Sequence, residues 1–144
     1  MRILFTISVL FFLANTNLVY SQCKEFAKKD CKPLLENYIH DGNYNGIVLN
    51  VDEDVELHKA FFKGQKYRVV VCREDFLPPI HFKILNSDYE VLFDNKDDGY
   101  SNKYDFELKD SQTLIISMKF VTENKEYDKS MNGCVVVLFG LEMY

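Results

Sequence analysis

From Ile47 to the C-terminus, apolar residues recur at every second position in one segment after another, and a period of two marks a strand with one buried face. "PIHFKIL" sets Ile80, Phe82 and Ile84 on one side and His81 and Lys83 on the other. "DYEVLF" sets Tyr89, Val91 and Phe93 against Glu90, and "KYDFEL" sets Tyr104, Phe106 and Leu108 against Asp105 and Glu107. Three further segments are apolar on both faces: "YRVVVC" at 67–72, "TLIISMKFV" at 113–121 and "CVVVLFGL" at 134–141. Strands of that kind belong in the middle of sheets or in a sandwich core. With "GIVLNV" and "VELHKAFF" the expected strands number eight, separated by the turn sequences "KGQ", "LPP", "NSD", "KDDGYSN" and "KDSQ". Short strands with frequent turns predict a mainly β protein: an antiparallel two-sheet β-sandwich, jelly-roll-like, preceded by a short helical segment.

The helical spacing is confined to "CKEFAKKDCKPLLENYIHDGNYNG". Cys23, Ala27, Cys31, Leu35 and Tyr38 recur at steps of four and three and share one face, with Lys24, Lys28 and Lys32 on another. Pro33 lacks an N–H and pushes Lys32 out of the helical region. The expectation within 24–39 is therefore a short helix near 24–30, a break, and a second turn or two from Pro33 to Ile39.

The opening "MRILFTISVLFFLANTNLVYSQ" has Arg2 as its only charge and an apolar run too short to span a bilayer. It reads as a secretory signal peptide over 1–21, cleaved after Ser21 to leave Gln22 as the new N-terminus. An uncleaved anchor, or a lipoprotein with the lipid on Cys23, is the alternative; Gln22 is a poor neighbour for a lipidated cysteine, where a small side chain is required. The remaining 22–144 is one domain's worth of chain, expected to carry no membrane span once the signal is removed. Cleavage takes away one positive charge and no negative one, so the net charge moves from −5 to −6. An acidic chain without a basic run has no electrostatic affinity for nucleic acid or anionic lipid.

Four cysteines remain: Cys23, Cys31, Cys72 and Cys134. In an exported protein the even count favours two disulfides, with three possible connectivities. Cys72 closes one apolar strand and Cys134 opens another, so antiparallel neighbours would set them side by side; Cys72–Cys134 with Cys23–Cys31 is the expected pairing. The second bond requires the Pro33 break to reach back to Cys31. Eight residues of continuous helix would separate the Cα atoms by about 12 Å, beyond a disulfide's reach, and the bond would then have to join helix to sandwich. The intervening stretches of 7, 40 and 61 residues contain no zinc knuckle. A catalytic cysteine would need a thiolate beside a base such as His58 or His81, both of which alternate outward among charged residues.

The acidic loop "DNKDDGYSNKYD" at 94–105 places Asp98 and Gly99 at the fifth and sixth positions of a calcium-loop pattern. Its third position is Lys96, and strands flank it where helices belong, so a solvated hairpin loop is expected, as for the acidic turn "VDEDVE" at 51–56. No Ser-centred elbow, phosphate-binding loop, H-E-x-x-H or dinucleotide pattern occurs. No cofactor, metal site or catalytic residue is assigned. Tyr44, Tyr100 and Tyr127 fall in or beside loops, where tyrosines anchor interfaces or stack on sugars.

The run from "CKEFAKKDC" through "HDGNYNG", "FFKGQKYRVVVC", "IHFKILNSDYEVLFDN" and "NGCVVVLFG" resembles a functionally uncharacterised family of small exported proteins of Gram-negative bacteria. The segment "FFKGQKYRVVV" with "IHFKILNSDYEVLFDN" is also similar to pre-peptidase C-terminal and GOLD-type β-sandwiches, in which a G-Q-x-Y turn opens a core strand and a later strand ends in an Asp-Asn pair. That likeness implies a non-catalytic accessory or binding module. The expectation is thus a secreted or periplasmic module recognising a protein or glycan through loops such as 95–103 and 123–132, with Tyr100, Tyr127 and Asp98 as candidate binding residues. A small exported enzyme using a free cysteine, and a structural envelope protein that adds an edge strand to another sheet, are the alternatives.

Overall fold

The computed structural model describes residues 23–123 and 125–143; the expected signal peptide, its cleavage site and Gln22 lie outside the described residues. Nine strands follow a helical segment: β1 (Tyr38–His40), β2 (Asn45–Asn50), β3 (Asp54–Phe61), β4 (Lys66–Arg73), β5 (Ile80–Leu85), β6 (Val91–Asp94), β7 (Lys103–Glu107), β8 (Gln112–Phe120) and β9 (Asn132–Glu142). They form two antiparallel sheets. In the first, β9 pairs β4 on one side and β2 and β1 on the other, and β4 pairs β7; in the second the order is β3-β8-β5-β6. Strands β2 to β9 are therefore ordered 2-9-4-7 facing 3-8-5-6, the strand order of a jelly roll.

Each of the eight expected strands is present, and β1 is the addition. The reading of 33–39 as helix is corrected there: Glu36, at φ +53°, turns the chain out of the helical segment, and Tyr38–His40 pairs with Gly140–Glu142. Gly140 permits this approach, because a Cβ there would lie 2.6 Å from Cβ of Tyr38. The "DYEVLF" reading is corrected as well. Tyr89 has φ +60° in a turn tied by Asn86, whose side chain accepts from the N–H groups of Asp88 and Glu90. Strand β6 starts only at Val91, and of the expected Tyr89, Val91, Phe93 face only Phe93 reaches the core.

Between the sheets, aromatic rings fill the centre. Phe61 contacts Tyr67, Phe106 and Phe139 edge-on at centroid distances of 4.9–5.5 Å, and Phe93 stacks on Tyr104 at 3.8 Å. Alternation sends Val69, Val71, Val135, Val137 and Phe139 into this core, while Val70, Cys72, Val136 and Leu138 form a second cluster with Ala27, Cys31 and Leu35. The protein thus has three layers, with the helical segment lying over the outer face of the first sheet. Strands β4 and β9 are apolar on both sides because both sides are covered.

The segment itself is continuous through Cys31: an α-helical turn at 23–26, a π-helical stretch Ala27–Cys31 and a 3₁₀ turn Lys32–Leu35. Pro33 causes a change of helical pitch where a break was expected. The amide of Lys32 bonds back to the carbonyl of Ala27, and Pro33 enters at the start of the 3₁₀ turn, where its missing N–H is tolerated. Continuity rules out Cys23–Cys31, since the rise along the segment parts them. Cys72–Cys134 is excluded by register: Cys72 faces Val136, two residues past Cys134. The disulfide present is Cys23–Cys134, with Cα atoms 5.4 Å apart, joining helix to sandwich; Cys31 and Cys72 are thiols. Gly46 on β2 makes room for it, as a Cβ there would sit 3.1 Å from Cβ of Cys23.

Candidate functional site

A cleft of about 480 Å³ opens where the helical segment, the end of β4, the start of β5 and the loop after β6 converge. Phe26, Asp30 and Leu34 line the helical side, Cys72 and Arg73 the β4 side, and Tyr100, Ser101 and Asn102 the loop side. The loop is held in place by Asn95, which is 1 % exposed. Its Oδ1 accepts from the Phe82 amide at 2.9 Å, and its Nδ2 donates to the carbonyls of Ile80 at 2.9 Å and Ser101 at 3.1 Å. Asn95 follows the last residue of β6, so its side-chain amide continues the β5–β6 ladder where the main chain has turned away into a 3₁₀ turn over Asn95–Asp98.

That turn positions the candidate binding residues. Gly99 at φ +60° and Tyr100 at φ +59° reverse the chain, and the Tyr100 amide donates to the carbonyl of Asn95 at 2.8 Å. The Tyr100 ring meets His81 edge-on at 6.0 Å, and His81 Nε2 lies 2.6 Å from Asp94 Oδ1. Burial works to raise the Asp94 pKa, but the Lys96 amide, His81 and Lys83 outweigh it, so the carboxyl titrates below its ordinary range. Asp98 is exposed, and its carbonyl accepts from the Ser101 amide at 3.1 Å. Tyr127 is half-buried and packs against the core between the sheets, and it does not line the cleft that Tyr100 lines. The acidic loop is exposed over 96–99, as expected of a solvated loop, but it joins strands of different sheets and so closes no hairpin, and its base is pinned by Asn95; among the described residues no group of three or more His, Cys, Asp or Glu is arranged to hold a metal ion.

At the C-terminal end of the helical segment, Arg68, 8 % exposed, projects from β4. Its Nε and Nη2 donate to the two carboxylate oxygens of Asp105 at 2.7 and 2.8 Å, and its Nη1 donates to Glu36 at 2.8 Å and to the carbonyls of Leu34 and Leu35 at 3.4 Å. The guanidinium also lies 4.5 Å from the centroid of Tyr38. Lys103, at 2.6 Å, and Arg68 together bring Glu36 down to a pKa of about 2. This cluster clamps the helical layer onto the sheet.

A second groove, of about 340 Å³, follows the open sandwich edge between β2 and β3 and is lined by Tyr44, Ile47, Val55, Leu57, Met118 and Val137 among others. The histidines weighed as catalytic bases sit elsewhere. His58 is exposed beside Glu56, and His81 is engaged by Asp94, both on the second sheet, whereas Cys31 lies in the helical segment and Cys72 beneath it on the first sheet. Hydrogen bonding to Cys72, then burial, drives the Cys31 pKa far upward, the opposite of what a nucleophilic thiol needs.

Arg68 and Asn95 escaped the sequence reading. The signals were a lone charge inside an apolar strand, with Asp105 available on a neighbouring strand, and an Asp-Asn pair at the end of β6. No helix among the described residues is long and apolar enough to cross a membrane. The sequence matches no protein-family model and no curated protein. In fold, the chain is similar to the Aeromonas hydrophila PliG structure, a periplasmic lysozyme inhibitor of g-type lysozyme, with a TM-score of 0.51 and 9 % identity over 69 % of this chain and 84 % of that one.

Proposed function

We propose that this chain is an exported, non-catalytic binding module that captures a protein partner on the rim of the Tyr100 cleft. The observation that carries the reading is the Asn95 anchor: a buried side-chain amide with three hydrogen bonds, two to β5 and one to the Ser101 carbonyl, ties the Tyr100 loop to the second sheet. A rigid aromatic residue at the mouth of a cleft of mixed polarity is the arrangement from which binding hot spots are built. The Cys23–Cys134 disulfide supports export, since such bonds persist in oxidising compartments. The raised pKa of Cys31 speaks against the cysteine-enzyme alternative. Similarity in fold to an inhibitor of g-type lysozyme makes lysozymes the first partner class to test.

The test is capture and inhibition with purified g-type lysozyme, alongside other lysozymes, on the immobilised mature chain. Saturable binding that weakens at least about tenfold in Tyr100→Ala, with its thermal stability unchanged, is the expected result. Capture unaffected by Tyr100→Ala would remove this surface from the reading. Binding of a peptidoglycan fragment in place of any lysozyme would replace the protein partner with a glycan.

A further inference from the structure

All four cysteines serve one layer boundary. Cys23 and Cys31 belong to the helical segment; Cys72 lies on the helical side of β4, and Cys134, by alternation with Val136 and Leu138, on the helical side of β9. Cys23 and Cys134 are already joined. The other two, Cys31 at 0 % and Cys72 at 7 % exposure, are thiols packed in a single cluster with Ala27, Leu35, Val70, Val136 and Leu138. Among the described residues no group of three or more His, Cys, Asp or Glu is arranged to hold a metal ion, and the two thiols hydrogen-bond to each other.

We infer that Cys31 and Cys72 form a second disulfide in the exported protein, stitching the helical segment to β4 as Cys23–Cys134 stitches it to β9. The oxidant is a disulfide of the export compartment, for which oxidised glutathione serves as the probe. One protein thiolate attacks a glutathione sulfur, its S–S bond breaks and one glutathione thiolate leaves. The second protein thiolate then attacks the protein-side sulfur of the mixed disulfide, expelling the second glutathione. The balance is two protein thiols and one oxidised glutathione converted to one protein disulfide and two reduced glutathiones. Cys31 is fully buried, and hydrogen bonding to Cys72 and burial raise its pKa, so of the two thiols Cys72, at the cleft wall, is the one an external disulfide reaches in the packed protein.

The full chain is refolded from its reduced state in a glutathione redox buffer. It is then denatured with a maleimide and no reductant, and digested. The expected result is no label on any cysteine, with one linked peptide pair containing Cys23 and Cys134 and another containing Cys31 and Cys72. Labelling of both Cys31 and Cys72, or glutathione retained on either, would overturn the inference. In Cys31→Ser the partner Cys72 is expected to become labelled or to retain glutathione; a Cys72 linked to another protein cysteine there would show a different native connectivity and refute the pairing. The double variant C23S/C134S isolates the proposed bond: it is expected to keep the Cys31–Cys72 link, and two labelled thiols there would count against it.

Discussion

Replacing Asn95 by Ala removes three hydrogen bonds from a side chain that is 1 % exposed and leaves the partner groups without their native partner. Each neutral bond contributes about 1 kcal/mol net, and a buried donor left unmade, here the Phe82 amide, costs roughly 1–3 kcal/mol. The alanine methyl recovers little of this, so the expected loss is about 3–4 kcal/mol. For a domain of this size that corresponds to a fall in Tm of roughly 10–15 °C. Guanidinium titration followed by far-UV circular dichroism measures it directly, and an unchanged m-value would show that the sandwich itself is intact. The same variant is expected to lose partner capture even at temperatures where it is folded, because the Tyr100 loop has lost its anchor. A destabilisation under about 1 kcal/mol would mean that the loop is held by its main chain, and the argument that Asn95 builds the cleft wall would fail.

The Arg68 clamp carries a pH signature. Glu36 and Asp105 both titrate lower in the folded protein than when free, through hydrogen bonds from Lys103 and Arg68 to Glu36 and from Arg68 to Asp105. A depressed folded pKa contributes stability that is present above the unfolded value and disappears as pH falls through the folded one, for Glu36 between about 4.5 and about 2. Arg68→Met is expected to cost about 2 kcal/mol at neutral pH and to show a shallower loss of stability across that acid window; parallel curves for the two proteins would refute the clamp. Breaking the Cys23–Cys134 bond, which spans 111 residues, by Cys134→Ser is expected to lower stability by about 2–5 kcal/mol, measured by unfolding under non-reducing conditions.

The strands were legible because a strand writes its burial into alternate residues, and no long-range knowledge is needed to see it. The doubly apolar "YRVVVC" and "CVVVLFGL" likewise marked themselves as belonging in the middle of a sheet or in the sandwich core. What covers the second face was not legible: the helical segment reads as a helix wherever it docks. The turn from Leu35 into β1 was hidden because Tyr38 and Ile39 fit either period, and the outcome depends on the notch that Gly140 leaves on a strand a hundred residues away. Tyr100 and Asp98 could be seen as loop residues, but the element that fixes them, Asn95, is a polar residue whose burial is set by where β5 and β6 stop pairing.

By itself, then, the sequence determined the alternation, the sandwich and the need to satisfy four cysteines, since these depend on neighbours two to four residues apart. Cysteine pairing was decided only in three dimensions. A helix that continues through Cys31 sets Cys23 and Cys31 too far apart to meet, and the β4–β9 register puts Val136 where Cys134 would have to stand. The cleft, too, exists only because a pinned loop and a docked helix meet over the end of β4. Such meetings are fixed by register and packing between segments distant in the chain, and local patterns carry no record of them.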